Sequence, residues 1–201
     1  MKLAFLASNN GSSLRAIVAA IRAGELAARP RLVVSNRRAA PVLEFARAEG
    51  IEARFIPTVP DPDIADARLA EALGASGADL VILSGYLRKL GPRTLEAFHG
   101  RVLNIHPGLL PDFGGQGMYG RRVHEAVLAA GVPFTGASVH VVDEAYDHGP
   151  VVAQQRVPVR PGETAESLEA RVMAAEPKLF VETLQRIADG SLSLGAIAEG
   201  R

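Results

Sequence analysis

The chain has 201 residues, enough for one domain with a sizeable core and short for two. Its 22 basic residues balance its 22 acidic ones, so it lacks the positive excess on which nucleic-acid binding by phosphate neutralisation rests. It has no cysteine, which excludes disulfides, thiolate catalysis and Cys-ligated zinc.

The first apolar run, Lys2 to Ala7, is too short for a signal-peptide core and reads as a buried β-strand. No apolar run approaches membrane-spanning length, so a soluble cytoplasmic protein is the expectation. Ser8-Asn9-Asn10-Gly11-Ser12-Ser13 breaks the pattern, and Ser12 or Ser13 can cap a helix over Leu14 to Ala23 that stops at Gly24. A strand, a polar glycine loop and a helix together aim N–H groups and a positive dipole end at an anion. The same order is also that of an ordinary strand–helix turn. The loop matches neither GxGxxG nor a Walker motif, which removes the nicotinamide-binding reading.

Strands are expected over Arg31 to Ser35, Glu52 to Ile56 and Asp79 to Leu83, with helices over Ala39 to Ala48 and Ile64 to Leu73 between them. The continuous apolar run ending at Leu83 suits a parallel strand buried on both faces. Strands alternating with helices predict an α/β, doubly wound, mostly parallel sheet of Rossmann-like type, as one domain over residues 1–201. Ser84-Gly85-Tyr86-Leu87-Arg88-Lys89-Leu90 is a second strand-to-loop junction, followed by a short helix from Arg93 to His99. His99 reads as a surface residue at that helix's C-terminal end, where a cation is favoured.

Midway along the chain, after Arg101-Val102-Leu103, stands Asn104-Ile105-His106-Pro107-Gly108-Leu109-Leu110-Pro111. Asn104 and His106 are two apart, and on an extended segment that spacing puts both side chains on one face. Pro107 pushes His106 out of helical geometry. An amide and an imidazole therefore stand together at a strand end, where open α/β sheets bind ligands. A polar strand cap with a satisfied histidine would have the same sequence.

Phe113 to Gly120 is glycine-dense and reads as a mobile or closely packed loop. Arg122 to Ala130 is a predicted helix, on which His124 reads as structural rather than as a cleft residue. Thr135 to Val142 alternates, with Ala137, Val139 and Val141 on one side and Ser138 and His140 on the other. The acidic loop Asp143 to Pro150 offers a carboxylate that can orient a histidine. Val151 to Val159 is expected as an antiparallel edge strand, and Glu163 to Gly190 as a helix kinked or broken at Pro177.

The segments Ala7 to Ser13, Ser84 to Arg88, Asn104 to Pro111, Ser138 to His140 and Asp147 to Pro150, in that order, closely resemble the folate-dependent formyltransferase superfamily, and within it the glycinamide ribonucleotide transformylases. The resemblance covers nearly the whole chain. It implies formyl transfer from 10-formyltetrahydrofolate to the amine of glycinamide ribonucleotide in purine synthesis, without a metal. It implies catalytic roles for Asn104, His106 and Asp147. The ribonucleotide would meet Gly11, Ser12, Ser13 and Glu176. The folate would lie along Leu87, Arg88, Lys89 and Leu90, with Asn104 and the loop Asp143, Glu144, Ala145, Tyr146 and Asp147. The phosphate site would fall in the N-terminal half, and the folate and catalytic residues in the C-terminal half. Small-molecule partners follow, with neither nucleic acid nor membrane, and with a homodimer among the assemblies allowed. Two departures stand out: Met173 replaces an expected glutamine, and Pro60 to Asp66 lacks an arginine that the family often places near the folate.

In acyl transfer between nitrogens, Asn104 suits donation to the oxyanion and His106 suits proton handling, with a neighbouring Asp147 expected to raise the proton affinity of the histidine. The five histidines are scattered without zinc spacing. Competing readings are a methionyl-tRNA formyltransferase, expected to carry a further domain and a basic surface, a formyltetrahydrofolate deformylase, expected to carry an N-terminal regulatory domain, and a ligand sensor that kept the fold without catalysis.

Overall fold

The computed structural model describes residues 1–198; the last three residues of the expected 1–201 domain lie outside the described residues. The strands are β1 (Lys2–Leu6), β2 (Arg29–Ser35), β3 (Glu52–Phe55), β4 (Leu80–Leu83), β5 (Val102–His106), β6 (Phe134–Val141) and β7 (Val151–Pro158). The helices are α1 (Ser12–Arg22), α2 (Pro41–Ala48), α3 (Pro62–Ala75), α4 (Pro92–Ala97), α5 (Arg121–Ala130), α6 (Ala165–Ala188) and α7 (Leu194–Ala198). The hydrogen-bonded strand order is β3-β2-β1-β4-β5-β6-β7. This is the expected mixed α/β sheet, parallel except toward its β7 edge. Backbone contacts gather into two units, Met1–Leu103 and Asn104–Arg201.

In the first unit, β1 pairs in parallel with both β2 and β4, and β2 pairs in parallel with β3. Leu3 to Ala7 and Leu80 to Leu83 are buried on both faces, which explains why these strands read as unbroken apolar runs. α1 buries Leu14, Ile17 and Val18 at helical spacing. Its N-cap is Gly11 rather than Ser12 or Ser13. Gly11 takes a left-handed φ of 66°, and a Cβ there would stand 2.6 Å from Val42 Cγ2. Ser84 Oγ on the β4 end accepts the N–H of Leu14 at 3.0 Å and so satisfies part of the first turn from outside the helix. Asp61 caps α3 through the N–H groups of Asp63 and Ile64, so this helix starts two residues earlier than the apolar spacing indicated. Asp66, buried within α3, accepts the N–H groups of Arg93 and Thr94 and the Thr94 hydroxyl, and so anchors the start of α4.

In the second unit, β6 pairs antiparallel with β7. The faces of β6 divide as the alternation indicated, although both are buried: Ala137, Val139 and Val141 are apolar, and Ser138 and His140 lie on the opposite side. α5 buries Val123 and Val127, and α6 buries Leu168, Val172, Phe180 and Leu184. α6 runs from Ala165 to Ala188 without a break at Pro177. The proline cannot supply the N–H that Met173 would receive, but the apolar contacts on both sides of it keep the helix continuous. Thr164 caps α6 through the N–H of Ser167 at 3.2 Å. Among the described residues, no helix is long and apolar enough to cross a membrane.

Gly136 on β6 lies so close to β7 that a Cβ would overlap the carbonyl oxygen of Gln155. Backbone cannot swing aside as a flexible side chain can. Gly136→Ala is therefore expected to destabilise the fold by about 3 kcal/mol or more, read as a lower urea midpoint at unchanged slope.

Candidate active site

Asn104 and His106 sit in the last three residues of β5, at the strand end where they were expected. The turn that follows is held by side chains of the neighbouring hairpin. Ser138 Oγ donates to the Gly108 carbonyl at 2.7 Å and accepts the Leu110 N–H at 3.1 Å. The Gln154 amide donates to the Leu110 carbonyl at 3.0 Å and to Ser138 Oγ at 2.8 Å. Gly108 is required here, because a Cβ would stand 2.9 Å from Val123 Cγ1 and 3.1 Å from His106 Nε2.

His106 is 3 % exposed and lies between two oxygens. Its Nε2 is 2.6 Å from the Phe113 carbonyl, and its Nδ1 is 3.3 Å from Asp147 Oδ2. A neutral ring carries one N–H, so either tautomer turns a lone pair toward an oxygen. The imidazolium satisfies both contacts. Burial opposes that charge and prevails: it lowers the His106 pKa below its ordinary value, against the Asp147 carboxylate and the Phe113 carbonyl, which raise it. This corrects the expectation drawn from Asp147 alone. The carboxylate acts in the expected direction, but desolvation outweighs it.

Asp147 projects from the loop after β6 and has a left-handed φ of 55°, a conformation that aspartate tolerates better than most residues. Burial alone would raise its pKa. The hydrogen bond with His140, the charge of His106 and the Gly115 N–H together outweigh burial and hold the carboxyl below its ordinary range. Oδ2 accepts the Gly115 N–H at 3.1 Å, and Oδ1 is 3.5 Å from His140 Nε2.

His140 was read as a residue on one face of β6 and given no part in the site. It is 2 % exposed, its Nδ1 lies 3.0 Å from the Val141 carbonyl, and its Nε2 lies 3.1 Å from Asn104 Nδ2. A proton on Nε2 lets the ring donate to Asp147 Oδ1; without it, and with Nδ1–H donating to the Val141 carbonyl, Nε2 accepts from Asn104 and fixes the carboxamide. One Asn104 N–H is thereby used, and its second N–H remains to donate elsewhere. The sequence signal for His140 was its place beside Ser138 on the same strand face. Its partners come from other segments, and alternation does not name them.

The other expected site residues are placed as follows. Ser12 and Ser13 form the first turn of α1, where N–H groups have no intrahelical partner. Leu87, Arg88 and Lys89 are exposed and Leu90 is buried; the Leu87 N–H donates to Ser8 Oγ at 2.8 Å. Arg88, Lys89 and Leu90 line a cleft of about 240 Å³ in the first unit. Across the stretch without the family's arginine, this cleft presents Pro62, Asp63, Ala65 and Asp66. In the acidic loop, Asp143 accepts the Ala145 N–H and meets His148 Nδ1 at 2.9 Å, while Glu144, Ala145 and Tyr146 are exposed. Glu176 is half-buried on α6, and His99 is exposed. His124 is fully buried on α5, and neither ring nitrogen has a hydrogen-bond partner among the described residues. Among the described residues, no three His, Asp or Glu side chains are grouped to hold a metal ion.

The second unit therefore carries a cluster of amide, imidazole and carboxylate on β5, β6 and the loop after β6, the equipment of an acyl-transfer site. The sequence profile of the formyl transferase family matches residues 1–184, and the chain belongs to that family. It is 40 % identical over 189 residues to phosphoribosylglycinamide formyltransferase of Mycobacterium tuberculosis, covering 93 % of this chain and 85 % of the relative. It is 38 % identical over 190 residues to the chloroplastic phosphoribosylglycinamide formyltransferase of Vigna unguiculata, covering 94 % of this chain but 61 % of the plant protein. The chain thus spans less than two thirds of the length of that relative. The solved glycinamide ribonucleotide transformylase 1 of Symbiobacterium toebii superposes with a TM-score of 0.86 at 38 % identity, over 94 % of this chain and 88 % of the other.

Burial raises the Glu176 pKa from 4.5 to about 7. The unfolded chain therefore releases this proton first, and stability falls as pH rises from the unfolded value through the folded one. Glu176→Gln has no charge to bury. It is expected to match the wild type near pH 4 and to be more stable above pH 7, with melting temperature against pH as the measurement.

Proposed function

We propose that the chain transfers a formyl group from 10-formyltetrahydrofolate to the amine of glycinamide ribonucleotide, the reaction that purine synthesis requires of its formyltransferases. The observation that carries this reading is the cluster of Asn104, His140, Asp147 and His106, in which a neutral donor, an imidazole and an ionised carboxylate stand within hydrogen-bond range of their neighbours. The names of the relatives supply the acceptor and the formyl group, and the family resemblance supplies the folate donor.

In this reading the amine nitrogen attacks the formyl carbon, and the C=O π pair moves onto oxygen. The free N–H of Asn104 donates to that oxyanion at any working pH, because a carboxamide does not titrate. The attacking nitrogen becomes cationic and must lose a proton. His106 receives it, since protonation turns its two opposed ring contacts into two donated hydrogen bonds, and Asp147 balances the charge. The oxyanion pair then re-forms the C=O bond and expels the folate N10, to which the protonated His106 returns the proton as the C–N bond breaks. The first-turn N–H groups at Ser12 and Ser13 are suited to the ribonucleotide phosphate. The side chains along Leu87 to Leu90, with the Asp143 to Asp147 loop, are assigned to the folate. Glu176 is assigned to the ribonucleotide.

The experiment is to mix the protein with both substrates and follow formyl loss with and without the ribonucleotide. Loss that depends on the ribonucleotide is expected; no loss, or loss at the same rate without it, would overturn the assignment. Asn104→Ala is expected to lower kcat about 100- to 1,000-fold while ribonucleotide binding, measured by calorimetry, is retained. His106→Ala should also lose most turnover and keep binding. Near-wild-type kcat in either variant would show that its role has been misassigned.

A further inference from the structure

Three consecutive residues outside the proposed catalytic set touch both members of the His106–Asp147 dyad. The Phe113 carbonyl meets His106 Nε2 at 2.6 Å. The Gly115 N–H donates at 3.1 Å to Asp147 Oδ2, the oxygen that faces His106 Nδ1. Between them, Gly114 is packed so closely that a Cβ would overlap Leu110 Cδ2 and stand 3.0 Å from Asp147 Cβ. Gly115 has a φ of 101°, which L side chains rarely adopt. The stretch is tied to the turn after β5, because the Phe113 N–H donates to the Leu109 carbonyl at 3.2 Å and the Gly114 N–H to the Pro111 carbonyl at 3.4 Å.

We infer that the backbone of Phe113–Gly115 is a positioning element for the proposed reaction, gripping the imidazole and the carboxylate at once and stabilising the ion pair that forms when His106 takes up the proton. A carbonyl accepts from a protonated ring, and an N–H donates to an ionised carboxyl, so both backbone contacts favour the charged forms. The two contacts are spaced two residues apart, and a turn without side-chain bulk at Gly114 and Gly115 is what lets them reach together. The glycine density of this segment therefore serves close approach to the dyad.

The inference rests on the proposed reaction for its catalytic consequence, but its geometry is testable without substrate. In the wild-type protein, with ¹³C-labelled aspartate and a ¹⁵N-labelled backbone, the Gly115 amide proton should titrate with the same midpoint as the Asp147 carboxyl. A Gly115 amide that stays flat while Asp147 titrates would overturn the inference, whatever the reaction.

The second arm is Gly114→Ala, whose methyl must displace the stretch from Leu110 and Asp147. The expected result is a loss on the order of 10- to 100-fold in kcat with little change in KM for the ribonucleotide, since the dyad is misplaced and the binding residues are not. Loss of the backbone contacts should also raise the Asp147 pKa and lower that of His106, narrowing the interval between them; a purely structural defect would leave the pH profile in place. The other titratable groups facing the dyad are His140 on β6 and His124 on α5, and neither is altered by the substitution. Adding Leu110→Ala, which clears the space, should restore much of the kcat. Gly114→Ala with wild-type kcat and a superimposable pH profile would overturn the inference. If the variant does not fold, the wild-type titration decides alone.

Discussion

A buried imidazole held between two oxygens is the constraint from which the rest of the second unit follows. His106 has one arrangement that satisfies both neighbours, and it is the charged one, which burial disfavours. The neutral ring leaves a lone pair against an oxygen; the charged ring gives up solvation. Burial prevails and lowers the proton affinity of the ring, while the two oxygens pull the other way, so the balance between the states is set by the surroundings. A proton acceptor that must work at neutral pH needs that balance more than it needs a strong partner.

Holding this arrangement costs the chain elsewhere. Asp147 is fixed at a positive φ, a conformation worth about 1 kcal/mol or more in strain. Gly108 and Gly114 have no room for a side chain, because the turn, the glycine loop and the dyad approach one another too closely. Ser138 and Gln154 spend their polar groups on the backbone of the turn after β5. Each is unfavourable or neutral for folding by itself. Together they leave the imidazole, the carboxylate and the carboxamide little freedom, and orientation of that kind is a large part of what a catalytic site supplies. The first unit uses different means. Its candidate anion site is mainly backbone, the turn of Gly11 into α1, with Ser8 and Ser84 joining loop to strand end.

Much of this was legible in the sequence because it follows from local rules. Strands buried on both faces read as apolar runs, and β1 and β4 were found that way. Asn104 and His106 share a face by strand alternation, and Pro107 fixes the backbone locally. What was not legible is non-local. His140 was assigned correctly to the side of β6 that carries Ser138, yet its function depends on Asn104 and Asp147, which lie 36 residues before it and seven after. Asp147 itself came from a family resemblance, since an acidic loop alone reads as a solvated turn. The cap of α1 was misread because serine is the commoner cap, while packing against Val42 demands glycine at position 11. Of the kink or break expected at Pro177, the break does not occur, because apolar contacts along α6 outweigh one missing hydrogen bond. The proton affinity of His106 was misjudged for a similar reason. The sequence shows the neighbouring carboxylate but not the burial that overrides it.

Two carboxyls in the second unit are driven in opposite directions, and that contrast separates their roles. Asp147 is surrounded by donors and stays ionised below the ordinary range. Glu176 has burial as the cause of its shift and keeps its proton to about pH 7. A permanently charged carboxylate beside His106 is suited to stabilising an imidazolium and poorly suited to giving up a proton. A carboxyl that ionises near neutrality can both donate and accept a hydrogen bond, which suits the ribonucleotide contact proposed for Glu176 better than charge balance. Environments that push paired acids apart are a general means of assigning different work to the same functional group. In this chain the difference comes from what surrounds each acid: an N–H group and imidazoles around one, and burial as the cause of the shift at the other.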